Sequence, residues 1–197
     1  MTETKSRRRG AALEQAILEA AWAELNAVGY AALTIEAVAT RAGTSKPVIY
    51  RRWSSKAELV LTAWGSRAPM PTRKIDTGAL RSDLISMFER IARRAEGTMS
   101  EAIAGVMGEA FRQPEVAALL RDRLRTAPLT GWVSAIVERA VERGELPRVE
   151  VTPRVGRLPL DLIRYETTVG EVPIPDETIA ELVDEIYLPL LHGLADR

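Results

Sequence analysis

The residues best equipped for chemistry lie between positions 34 and 56. There Lys46, Tyr50, Arg51 and Arg52 place an ammonium, a phenol and two guanidinium groups within one short stretch. This stretch holds five basic residues and one acidic, a net charge of +4. Donors of this kind, set in a positive field, favour a phosphate backbone. They imply recognition of a polyanion and not bond-making. No general base, nucleophile or phosphate-binding loop converges with them, and Glu138 and Glu142, spaced i, i+4, read as surface charge. With no Cys and one His, His192, no metal site and no cofactor are expected.

Such donors need helices to present them. From Ala11 to Gly29, Leu13, Ile17, Ala20, Ala21, Leu25 and Val28 recur every three or four residues, which predicts a helix with one buried face and Gly29 as its stop. Thr34 can cap a short helix carrying Ile35, Val38, Ala39 and Ala42 that ends at Gly43. Thr44 or Ser45 can cap a third, with Pro47 in its first turn. It runs through Val48, Ile49, Tyr50, Arg51 and Arg52 to Trp53. A fourth helix starts near Ser54 or Ser55 and runs from Lys56 to about Trp64. Two short helices joined by a tight glycine turn fit the helix-turn-helix plan, whose second helix enters the major groove of DNA. Ile49 and Trp53 are expected to bury the pair against the first helix.

The run Leu33-Thr34-Ile35-Glu36-Ala37-Val38-Ala39, followed by Ala42-Gly43-Thr44-Ser45-Lys46-Pro47-Val48-Ile49-Tyr50-Arg51-Arg52-Trp53-Ser54-Ser55-Lys56-Ala57-Glu58-Leu59, resembles the DNA-binding domain of the TetR repressors. The resemblance covers about residues 11–64. It implies that Thr34 and Ser45 contact phosphate, and that Tyr50 packs along the backbone with its hydroxyl on a phosphate. Lys56 would offer its ammonium, together with a helix N-terminus, to the next phosphate. Lys46, Pro47, Val48 and Arg51 then fall where base edges are read, with Arg51 or Lys46 on a guanine and Pro47 or Val48 on a thymine methyl. Trp53 stands where Phe is usual and Ala57 where Glu is frequent. Gly170-Glu171-Val172-Pro173 before a last amphipathic helix resembles one C-terminal subgroup of the family.

The rest of the chain sets this module in context. Residues 1–67 carry ten basic and six acidic side chains and residues 68–197 seventeen and twenty-one, so +4 faces −4. Arg outnumbers Lys 23 to 4, a hint of a bacterial source. No apolar run approaches the roughly 18 residues of a membrane span, and the basic Arg7-Arg8-Arg9 precedes an amphipathic helix and not a secretion signal; a cytoplasmic location is expected. Helices are predicted at 79–96, 98–112, 114–126, 128–143, 154–169 and 176–195, with no strand pattern, giving an all-α fold. The expected division is a DNA-binding domain at 1–64 with a basic arm at 1–10, a linker at 65–78, and a ligand-binding and dimerisation domain at 79–197. Met87, Phe88, Ile91, Met107, Phe111, Trp132, Ile136, Leu162 and Tyr165 either line a ligand cavity or form plain core. Val155, Leu158 and Leu162 with Ile179, Leu182, Val183, Ile186 and Leu190 are the expected dimer interface. Double-stranded operator DNA, a second copy of the chain and a small-molecule effector are therefore the expected partners. Two rivals stay open at this point: an all-α small-molecule binder or enzyme, and a constitutive DNA binder with a filled core.

Overall fold

The computed structural model describes residues 3–67, 74–95, 97–126 and 129–195, with side chains of 3–9, 98, 99, 125 and 126 outside the description. The secondary structure of the described residues is helical, with no strand. In chain order the helices are α1 (Glu3–Ala32), α2 (Ile35–Arg41), α3 (Lys46–Tyr50), α4 (Lys56–Arg67), α5 (Leu80–Ala95), α6 (Thr98–Ala110), α7 (Pro114–Thr126), α8 (Leu129–Glu142) and α9 (Pro153–Val169). The last run is α10 (Asp176–Glu181), a π-helical turn (Leu182–Tyr187) and α11 (Leu188–Ala195). The predicted helices beyond residue 79 match these to within two residues at most ends.

The chain forms two compact units, Met1–Met70 with Gly97–Arg121, and Pro71–Glu96 with Asp122–Arg197. This grouping differs from the division read off the sequence, because α6 packs on α1 and α4 in the first unit. Its apolar period announces a buried face without saying which helix covers it. Of the predicted linker, residues 65–67 continue α4, and 68–73 lie outside the described residues.

In the first unit the core gathers Ile17, Ala21 and Leu25 of α1, Val38 of α2, Ile49 and Trp53 around α3, Leu59 and Val60 of α4, and Ala102 and Val106 of α6. Burying a side chain such as Leu25 or Ile49 is worth about 1.5–3 kcal/mol, so these contacts fix the short helices that propensity alone would not. Gly29 interrupts α1 with φ 71°, ψ 172°, turning Tyr30 into the core where only 6% of it is exposed. Val28 lies outside the buried stripe, 48% exposed. Gly105 admits the Tyr30 ring, since a Cβ there would come 2.4 Å from Tyr30 Cδ1. The Tyr30 hydroxyl then donates to Glu109 Oε2 at 2.5 Å, closing α6 onto the end of α1.

The second unit packs Leu84, Met87, Phe88 and Ile91 of α5 with Val133 and Ile136 of α8, Ile163 of α9, and Val183, Tyr187 and Leu191 of the final run. Its buried carboxylate, Asp83, accepts from the Thr77 backbone N–H (2.6 Å) and hydroxyl (2.7 Å), with Arg143 Nη2 at 3.5 Å. Those bonds offset the cost of enclosing a charge.

Candidate nucleic-acid interface

Each part of the candidate interface rests on a local cause. Thr34 caps α2, its side-chain oxygen accepting from the Ala37 N–H at 3.2 Å. Gly43 takes φ 62°, so the chain reverses between α2 and α3 without strain. Ser45 occupies the cap position of α3 with extended backbone, and Pro47 sits in the first turn. The helix ends at Tyr50, but Arg51 and Trp53 continue its bonding, donating to Pro47 O (3.2 Å) and Ile49 O (3.0 Å). Ile49 and Trp53 anchor this turn at 0% and 4% exposure. At the next helix Ser54 donates through N and Oγ to Glu58 Oε2 (2.7 and 2.8 Å), while Ser55 Oγ accepts from the Glu58 N–H (3.1 Å). This reciprocal cap starts α4 firmly.

The opposite side of the module is exposed: Thr34, Ser45, Lys46, Pro47, Tyr50, Arg51 and Arg52 all face solvent, with Val48 half-buried. Of the sequence-predicted DNA contacts, all but Val48 and Lys56 are thus exposed around α2 and α3, with Tyr50 46% exposed. Their charges differ in availability. Arg41 Nε donates to Glu24 Oε1 of α1 at 2.8 Å. Lys46 Nζ donates to Glu36 Oε1 of α2. Lys56 is turned inward and half-buried, donating to Tyr30 O at 3.0 Å with its ammonium 4.3 Å from the Tyr30 ring centroid. Arg52 Nη1 reaches Val48 O at 3.4 Å. Among the described residues the Arg51 side chain has no such partner. Burial, reinforced by the bond to Glu109 and its charge, raises the Tyr30 hydroxyl far above its ordinary pKa, so Tyr30 acts as a neutral donor. The acceptors Glu24, Glu36 and Glu109 and the aromatic Tyr30 carry no sequence signal as partners, because the contacts join separate helices. The basic-arm side chains Lys5, Arg7, Arg8 and Arg9 lie outside the described residues.

The other two residue sets fare unevenly. Met87, Phe88, Ile91 and Ile136 are buried in the second unit, where Phe88 meets Tyr187 edge to face at 5.6 Å. Trp132 and Leu162 are half-buried there. Met107 and Phe111 belong to the first unit, where Phe111 is 88% exposed, and Tyr165 of the second unit is 65% exposed. In the interface set, Ile179, Leu182 and Val183 are 3%, 7% and 0% exposed, because this side of the last run faces the second unit's own core. Val155, Leu158, Leu162 and Leu190 stay half-buried and Ile186 is exposed. His192 is exposed, and no group of metal-ligating side chains occurs among the described residues.

Residues 17–63 match the bacterial regulatory proteins of the tetR family, and residues 74–186 match the tetracyclin repressor-like C-terminal domain. The chain belongs to the TetR family. It is a DNA-binding helix-turn-helix transcriptional regulator, of a family whose members are regulators and not enzymes. An HTH-type transcriptional regulator of Mycobacterium tuberculosis is 32% identical over 163 residues, 83% of this chain and 80% of the relative. A DNA-binding transcriptional repressor TetR of Mycobacteroides abscessus is 30% identical over 185 residues, 93% and 96% of the two chains. The TetR fold recurs in Salmonella enterica GusR, with TM-score 0.63 and 18% identity over 94% of this chain and 96% of that one. It recurs too in another TetR family transcription regulator, with TM-score 0.67 and 24% identity over 89% and 96%. Among the described residues no helix is long and apolar enough to cross a membrane.

Proposed function

We propose that this TetR-family regulator is a repressor that binds a palindromic operator as a homodimer and is released by an apolar or amphipathic small molecule. The observation that carries the DNA contacts is the exposed donor surface around α3, held on the buried Ile49 and Trp53 and offering an unengaged Arg51 guanidinium. On this reading Thr34, Ser45 and Tyr50 grip phosphates, Arg51 reads a guanine, and Lys46, Pro47 and Val48 meet neighbouring base edges. Arg52 adds phosphate attraction, and Lys56 acts mainly by tying the start of α4 to Tyr30. The repressor role is supported by the relative in Mycobacteroides abscessus, a DNA-binding transcriptional repressor.

A single α3 spans too few base pairs to select a site, which favours two copies whose recognition helices lie about 34–36 Å apart or a multiple of it. The partner surface is the stripe Val155, Leu158, Leu162, Tyr165 and Val169 along α9, spaced by threes and fours and half-buried to exposed, together with Ile186 and Leu190 of the last run. The effector reading rests on the apolar second unit, whose core holds Met87 and Phe88 and where Trp132 and Leu162 are half-buried.

The test is selection of duplexes from a randomised DNA pool, followed by footprinting. A palindromic enriched sequence with two protected half-sites supports the reading. Binding with no sequence preference refutes it.

A further inference from the structure

Glu36 is the one acidic residue of the stretch 34–56. It stands in the first turn of α2, two positions beyond the cap residue Thr34, with its side chain 63% exposed. Lys46, the first residue of α3, has a side chain 45% exposed, and its Nζ donates to Glu36 Oε1. An exposed ion pair of this kind contributes little to folding, because solvent screens it and two flexible side chains must be ordered to form it. The fold therefore does not depend on it, and its consequence falls on whatever approaches this surface.

We propose that Glu36 is a specificity-determining positioning residue: it holds the Lys46 ammonium at the start of the recognition helix and sets a negative charge against phosphates at arbitrary sequences. The proposal rests on the duplex-binding reading above. Attraction to arbitrary DNA comes almost wholly from neutralising phosphates, so a carboxylate on the same surface opposes it directly. Binding to a matched site also draws on base edges. There an ammonium has three donors, so one on Glu36 leaves two for guanine O6 or N7. Tethering the flexible lysine stem reduces the ordering cost of that contact. Specificity is a difference of affinities, and a repulsive group that penalises the wrong partner raises it as surely as a new contact does. The hydrogen bond from Lys46 lowers the Glu36 carboxyl below its ordinary pKa, so the charge persists at neutral pH.

The experiment measures anisotropy of two labelled duplexes across a salt series, one enriched by the wild-type protein from a randomised pool and one a scramble of it. Glu36→Gln is expected to bind the scramble several-fold tighter, with a salt slope steeper by about 0.9. The ratio of matched to scrambled affinity falls, while the melting temperature stays unchanged. Glu36→Asp restores the ratio at least in part, and in a Lys46→Gln background Glu36→Gln no longer alters the matched affinity beyond its effect on the scramble. Equal tightening of both duplexes by Glu36→Gln overturns the proposal, as does a lowered melting temperature with both weakened. A wild-type protein that enriches no sequence fails the reading beneath it, and the proposal with it.

Discussion

In α9, Pro159 lies four residues beyond Val155 and has no N–H, so the Val155 carbonyl lacks its usual helical donor. The Tyr187 hydroxyl fills the gap, donating to Val155 O at 2.8 Å. Tyr187 is wholly buried and ends the π-helical turn, where the Leu188 N–H reaches back five residues to Val183 O. Two irregularities thus meet in one bond. Tyr187→Phe keeps the ring and its edge-on contact with Phe88 but strips the donor, leaving a part-buried carbonyl without that partner. The expected loss is about 1–3 kcal/mol, seen as a fall in Tm of roughly 2–4 °C per kcal/mol in a chain of this size. Pro159→Ala returns an N–H at the required position. Tyr187→Phe should then cost at least about 1 kcal/mol less in the Pro159→Ala background than in the wild type, the difference being the coupling of the two sites. Thermal and urea unfolding of the four proteins measures it. Equal costs in both backgrounds would refute the reasoning, since the hydroxyl would then not be serving the carbonyl that Pro159 orphans.

The dimer prediction is sharpest at the α9 stripe. Leu162→Glu places a charge in the proposed two-fold contact and should yield a folded monomer by sedimentation with operator binding lost, whereas a dimer of unchanged affinity contradicts the assignment. The effector prediction is reciprocal: a hydrophobic compound that raises Tm in a thermal-shift screen should weaken operator binding, and operator DNA should weaken the compound by the same factor. Hits that stabilise the protein yet leave operator affinity unaltered favour a constitutive DNA binder.

Much of the fold was legible because local chemistry dictates it. Gly29 and Gly43 end helices with the positive φ that only glycine takes cheaply, and Thr34 caps α2 through its own oxygen. The donor surface followed, since Ile49 and Trp53 fix which side of α3 is buried. Tertiary pairings did not follow. Tyr30 and Glu109 stand far apart in sequence, and the placing of α6 in the first unit depends on Gly105 making room for a ring, which no period records. The last run is apolar on two sides, so Ile179, Leu182 and Val183 could be read as a surface stripe when they are core. Residue type alone suggests a cavity role for Phe111, which follows α6 with 88% exposure.

The claim that α3 reads DNA is tested most directly at Arg51, exposed and, among the described side chains, unengaged. Operator affinity of wild type and Arg51→Ala is compared on the enriched duplex and on copies substituted one base pair at a time. Arg51→Ala is expected to lose about 1–3 kcal/mol, with relaxed selectivity at one base pair in each half-site. Unchanged affinity and an unchanged base preference at every position would contradict it.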